Sequence, residues 1–253
     1  MPGCPRRRRE HNRIRFTHPS RPVPGGCQRL RQDLFRSPLA DSLGRWLPEA
    51  PPVARADFAR RLGDWLNVAN AIALSSGLPA LEAPVPAAAA RNRPVPARDR
   101  QDLAGQLANL RATLTASIRQ HARADGDGAD TEFALYLQRC LDLQRRMELA
   151  IEAFRDHVRQ TLAATSPELA RLARLDALMA RLLEPRERQL LSSVPSFLRR
   201  RHEQRRREVA GETASPSFAH EFEQVLQAEL DVRLRTVTGM VEAYAGAPSR
   251  DFP

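Results

Sequence analysis

Residues 131–163, TEFALYLQRCLDLQRRMELAIEAFRDHVRQTLA, decide the fold. Phe133, Leu137, Cys140, Gln144, Met147, Ile151, Phe154, Val158 and Thr161 recur at alternating steps of four and three. That coiled-coil-like spacing is the seam of a helix laid against other helices. Thr131 stands where it can cap the start, and the next break is Ser166-Pro167, a cap residue followed by a proline suited to the first helical position. Neither Gly nor Pro interrupts the stretch, so one helix of roughly 50 Å follows from a rise of about 1.5 Å per residue. A rod that long with a narrow apolar seam needs partner helices.

The flanking sequence supplies them. On the N-terminal side, a helix from about Asp99 to Ala122 repeats the four-three step in Leu103, Leu107, Leu110, Leu114, Ser117 and His121. The turn 125–130, DGDGAD, joins it to the long helix as an αα-hairpin. On the C-terminal side, a helix after Ser166-Pro167 carries Leu169, Leu172, Leu175, Met179 and Leu182 until Pro185 ends or kinks it. Pro195 opens a basic helix reaching Val209. Ser215-Pro216 starts a last one that carries Phe218, Phe222, Val225, Leu226, Leu230, Leu234, Val237, Val241 and Tyr244, with Gly246 as its stop.

Further upstream, Ser37-Pro38 starts a short helix to Leu47, and residues 54–74 form a second with Phe58, Leu62, Trp65, Leu66, Ala69 and Ile72 on one stripe. With Trp46 and Trp65 as the sole tryptophans, these read as a compact hairpin over 30–76, closed by Ser75-Ser76-Gly77. Residues 77–97, with five prolines among alanines, read as an extended linker. Residues 1–28 are basic, rich in Pro and Gly and without hydrophobic period, which predicts a disordered tail. No segment alternates with period two. The expected fold is all-α: an elongated bundle of long antiparallel helices over 98–246 with a small N-terminal helical hairpin.

The net charge of +10 changes meaning once it is located. All 40 basic residues are arginine. Residues 1–29 carry +7 and residues 199–207 carry +5, which leaves the remainder slightly acidic at −2. The absence of lysine excludes a GxxxxGK[ST] phosphate loop, a kinase-strand lysine and a Schiff-base lysine. Three cysteines do not make a disulfide framework, and Cys140 on the seam reads as a small apolar residue. No stretch approaches the 18 or so apolar residues a transmembrane helix requires, and no apolar core follows Arg6–Arg9 to make a signal peptide. A cytoplasmic chain is expected.

Motifs for chemistry fail one by one. DGDGAD departs from a calcium loop at Ala129, Asp130 and Tyr136. Cys4, His11, His18 and Cys27 lack the short paired spacings of a zinc site. His121, His157, His202 and His220 fall on four helices without a ligand partner in register. His220-Glu221 opens like a zincin motif but meets Gln224 where the second histidine belongs. There is no GxSxG. The densest charge in a helical segment is Arg199, Arg200, Arg201, Arg205, Arg206 and Arg207, six arginines that point all round a helix and so make no one-sided groove-reading face; a solvated helix end is the first reading, ahead of contact with an acidic partner, lipid head groups or phosphates.

Three segments, ADFARRLGDWLNVANAIALSSGL (56–78), SPELARLARLDALMARLLEPRERQLLSSVPSFLRRR (166–201) and FEQVLQAELDVRLRTVTGMVEA (222–243), resemble a proteobacterial family known only as a domain of unknown function. The resemblance spans about residues 30–245, skipping the proline linker. It implies a cytoplasmic accessory of an envelope complex of the proton-channel type and carries over no functional residue. The function expected is a non-enzymatic interaction or scaffold role with no cofactor and no metal. A protein partner comes first, with homodimerisation through the seams open. The alternative is nucleic-acid association through Arg199–Arg207.

Overall fold

The computed structural model describes residues 39, 43, 68–83, 96–123, 133–208 and 217–247. The basic tail 1–28, both tryptophans, the DGDGAD turn and the Cys4/His11/His18/Cys27 set lie outside them. The described chain is helical, with no strand: α1 (Val68–Glu82), α2 (Ala97–Arg123), α3 (Phe133–Ala163), α4 (Pro167–Leu191), α5 (Val194–Glu208) and α6 (Phe218–Ala245). Residues Ser37–Pro253 form one compact unit.

Cross-helix contacts give the directions. Arg100 bonds the Ala245 carbonyl, Arg111 pairs with Asp231 at 2.8 Å and Arg119 with Glu223 at 3.3 Å, so α2 and α6 run antiparallel. Arg146 donates to Ser117 and Arg139 to the His121 carbonyl, which makes α3 antiparallel to α2. Arg155 meets Asp176 and Arg188 meets Glu148, so α4 returns along α3. The course of α4 then continues into α5, which reaches the N-terminal end of α3, where Arg199 lies over the Phe133 ring. Thus α3 runs parallel to α6 and is opposed in succession by α4 and α5.

The 31 residues of α3 present Tyr136, Cys140, Leu143, Met147, Ile151, Val158 and Leu162 to the core. With half-buried Phe154 the stripe steps by four, three and four, eleven residues per three turns, which follows a nearly straight helix instead of a left-handed supercoil. The strict heptad seam is therefore corrected at three places: Tyr136, Leu143 and Leu162 are buried where Leu137, Gln144 and Thr161 are only partly covered. On α6 the reading holds, with Phe222, Val225, Leu226, Leu230, Leu234, Val237, Val241 and Tyr244 buried and Phe218 half-buried against the same core.

Capping follows the sequence with one shift. The Ser166 side chain accepts from the Leu169 N–H with Pro167 behind it, and Gly246 closes α6 through its N–H on the Glu242 carbonyl. The start of α6 is capped by Ser217, bonded to the His220 N–H, two positions beyond the expected cap at Ser215, which lies outside the described residues.

Two expected breaks are not breaks. Helix α1 continues through Gly77 and Pro79 to Glu82, so the first six residues of the proposed linker are helical. Gly77 serves close approach instead: a Cβ there would lie 2.7 Å from Leu178 Cδ1, which lets α1 settle on α4. Helix α4 likewise runs through Pro185 to Leu191. A helical proline orphans the carbonyl four residues back. Here those residues, Ser75 and Arg181, are exposed, so water can satisfy the orphan. On α4, Leu175 is 42% exposed and Asp176 takes the inward position, since Arg155 and Arg159 stand opposite it.

Leu39 and Leu43 belong to the same hydrophobic cluster as α2, α3, α5 and α6. Because Leu234 is fully buried and Leu149 is 64% exposed, Leu234→Ala should lower unfolding free energy by about 2–5 kcal/mol and Leu149→Ala by less than about 0.5 kcal/mol, read by urea denaturation.

Candidate functional site

The six arginines singled out by sequence are sorted by the fold into two kinds. Helix α5 is anchored by Val194 and Leu198, each 1% exposed, and by His202. The His202 ring sits 4.9 Å from Phe218, 5.5 Å from Phe133 and 6.3 Å from Tyr136 between ring centroids. Tyr136 meets Phe218 and Phe222 edge-on at 4.8 and 5.3 Å. Three aromatic rings drawn from α3 and α6 thus close on the imidazole, with Phe222 backing Tyr136, and hold α5 at the N-terminal ends of both helices.

Residues one turn apart share a face, so Arg201 and Arg205 follow Leu198 and His202 inward. Arg201 grips Glu221 in a two-pronged pair at 2.7 and 2.8 Å, and Arg205 reaches the same carboxylate at 3.0 Å. The guanidinium fork matches a carboxylate in this way, and burial of all three side chains strengthens the attraction. Glu221 at the first turn of α6 also meets the positive end of that helix.

Arg199, Arg200, Arg206 and Arg207 remain outside. All four are exposed, and none takes part in an ion pair among the described residues. Arg199 lies over Phe133 with Cζ 5.4 Å from the ring centroid. The six do point round the helix, as their spacing requires, but not to equal surroundings. Two are consumed in holding α5 to α6, and four face solvent on one side.

A second polar group lies inside the bundle, where sequence reading placed none. Glu229 is fully buried between α6 and α3. Gln144 donates to both of its oxygens at 2.9 and 3.1 Å, and Arg233 donates Nε at 2.9 Å. Gln144 also reaches the Leu191 carbonyl at the end of α4. Burial pushes the Glu229 carboxyl above the usual carboxylate range, against the pull of Arg233 and Gln144. Burial, with the nearby Glu229 charge, pushes the Cys140 thiol up to about 12, so it stays protonated and unreactive. The signal was present in the sequence: Gln144 and Glu229 are polar residues at seam positions of two helices, and a polar group there needs a partner.

A third pairing joins α3 to α4, with Arg155 on both oxygens of Asp176 at 2.6 and 2.9 Å and Arg159 at 2.7 Å. The four histidines stay apart. His121 bonds the Ser117 carbonyl, His157 is exposed, His202 sits in the aromatic cluster, and His220 meets Gln224. Among the described residues no three His, Cys, Asp or Glu side chains gather as a metal site. No described helix is long and apolar enough to cross a membrane.

Residues 28–246 match the model of a family described as protein of unknown function (DUF3348). Neither a curated protein nor a solved structure gives a significant match.

Two outcomes follow from these pairings. Glu221→Ala leaves Arg201 and Arg205 without their counter-charge and should cost about 3–5 kcal/mol in urea unfolding, whereas Arg200→Ala should change stability by less than about 0.5 kcal/mol. The folded pKa of Glu229 is raised, so the folded chain holds this proton more tightly than the unfolded chain. Its contribution to stability is full below the ordinary value of 4.5 and is lost as pH rises through the folded value. Denaturant midpoints taken across the acid-to-neutral range should fall more steeply with rising pH in the wild type than in Glu229→Gln.

Proposed function

The chain belongs to the DUF3348 family of proteins of unknown function, and we propose that it is a non-enzymatic interaction protein that engages an anionic macromolecular partner through the outward face of α5. What carries this is the division of labour among the arginines. Arg201 and Arg205 are fixed on Glu221, and Arg199, Arg200, Arg206 and Arg207 are left together on the solvent side. Four guanidinium groups on one short face, with Glu203 as the acid among them, make a concentrated positive surface on a chain whose residues outside 1–29 and 199–207 sum to −2.

The interior supports a scaffold role. The buried carboxylates among the described residues, Asp176, Glu221 and Glu229, are each engaged by arginine, and Glu229 also by Gln144. Their hydrogen-bonding capacity goes into fixing one helix against the next. Such a bundle offers surfaces, held in a definite geometry, and on this reading the protein works in the cytoplasm without a cofactor.

Retention on a heparin column tests the proposal. The full chain should elute at clearly higher salt than the variant R199Q/R200Q/R206Q/R207Q, whose circular dichroism should be unchanged because all four side chains are exposed. Elution of both at the same salt would sink it.

A further inference from the structure

The arrangement of the four outward arginines says more than their number. Arg199 and Arg206 are seven residues apart, as are Arg200 and Arg207. Seven residues make nearly two helical turns, so each pair forms a row along the axis with about 10 Å between its members. Adjacent residues are turned by about 100°, so the two rows occupy opposite flanks of the outer face. Ser196 and Glu203 lie on the ridge between the rows, both exposed. The principal neighbours of α5 are α3 and α6, both on its inner side, and the Glu221 pairings keep the helix from lifting away.

Resting on the binding role proposed above, we propose that α5 docks into the major groove of duplex DNA, with its two arginine rows on the phosphates of opposite strands and the Glu203 ridge toward the base edges. The dimensions agree. A helix with its side chains is about 10–12 Å across, and the major groove of B-form DNA is about 12 Å wide. Two anionic rails with a helix-wide gap between them are what two flanking cationic rows fit. Arginine's planar fork takes a phosphate by two hydrogen bonds. The ridge acid, which would oppose a simple polyanion, meets hydrogen-bond donors on the groove floor, since cytosine N4 presents an amino group there.

Other occupants fit less well. An acidic helix presents one stripe of carboxylates, which would satisfy one arginine row and set like charge against Glu203. A second copy of this chain would bring a net +3 face, Arg199, Arg200, Arg206 and Arg207 against Glu203, up to an identical one. Duplex RNA has a deep, narrow major groove that does not admit a helix.

The test is fluorescence anisotropy on the full chain with a labelled mixed-sequence DNA duplex of roughly 24 base pairs, titrated from about 50 to about 200 mM salt. A phosphate neutralised on B-form DNA contributes about −0.9 to the slope of log Kobs against log salt, so R199Q/R200Q/R206Q/R207Q should flatten the slope by about 3–4. The double variants R199Q/R206Q and R200Q/R207Q should each flatten it by about 2, because each row serves one strand. An unchanged slope in the quadruple variant would mean that arginines elsewhere hold the DNA, and the docking is overturned. Equal affinity for an RNA duplex of the same sequence also overturns it, since groove entry would then play no part. Binding of poly-glutamate but not of DNA overturns the duplex partner and leaves the general binding role intact. Wild-type protein that binds neither probe overturns both.

Discussion

The burial of α6 is the constraint on which the bundle rests. Its 28 residues carry twelve buried side chains, from Glu221 to Tyr244, and these spread over more of the helix surface than a single seam would need. A helix covered on several sides must have several neighbours. Accordingly α2 lies antiparallel along one side, α3 runs parallel on another, and α4 and α5 also touch it directly. With aromatics at only 5% of the chain, most of this contact is leucine, valine and alanine, whose packing is close and unspecific in direction. Direction and register have to come from something else.

The charged pairs supply it. Buried ion pairs are weak sources of net stability, because desolvation offsets most of the attraction, yet a mispaired buried charge is heavily penalised. Glu229 can be buried only where Gln144 and Arg233 reach it, Asp176 only where Arg155 and Arg159 do, and Glu221 only beside Arg201 and Arg205. Sliding α3 by one turn against α6 would strand Glu229 without Gln144. The three clusters stand at the α3–α6, α3–α4 and α5–α6 contacts, so each junction has its own register mark. Gln144 adds a bond to the Leu191 carbonyl, which ties the end of α4 to the same point. The electrostatic surface of α5 is a by-product of this interior order: once Glu221 has drawn Arg201 and Arg205 inward, the positions that remain are fixed by helical geometry.

What the sequence determined by itself is the class of structure and most of its core. Leucine periodicity, the Ser166-Pro167 start and the Gly246 stop were enough for the long helices, because an amphipathic stripe reports burial wherever its partner turns out to be. The N-terminal segment was legible only as helical pattern. Which residue of a polar pair faces in, how far a helix runs past a proline, and which arginines remain outside depended on neighbours distant in the chain. Gly77 and Pro185 sit where the sequence alone predicts that a helix ends or kinks, yet the one packs under Leu178 and the other lies a turn beyond an exposed Arg181, and both helices run on. Arg201 and Arg200 are adjacent and chemically identical in sequence. Only Glu221, twenty residues on and across a helix junction, separates the residue that builds the fold from the one left to meet a partner. Short-range pattern fixes whether a side chain can be buried; the tertiary arrangement decides whether a charge placed there finds its counter-charge.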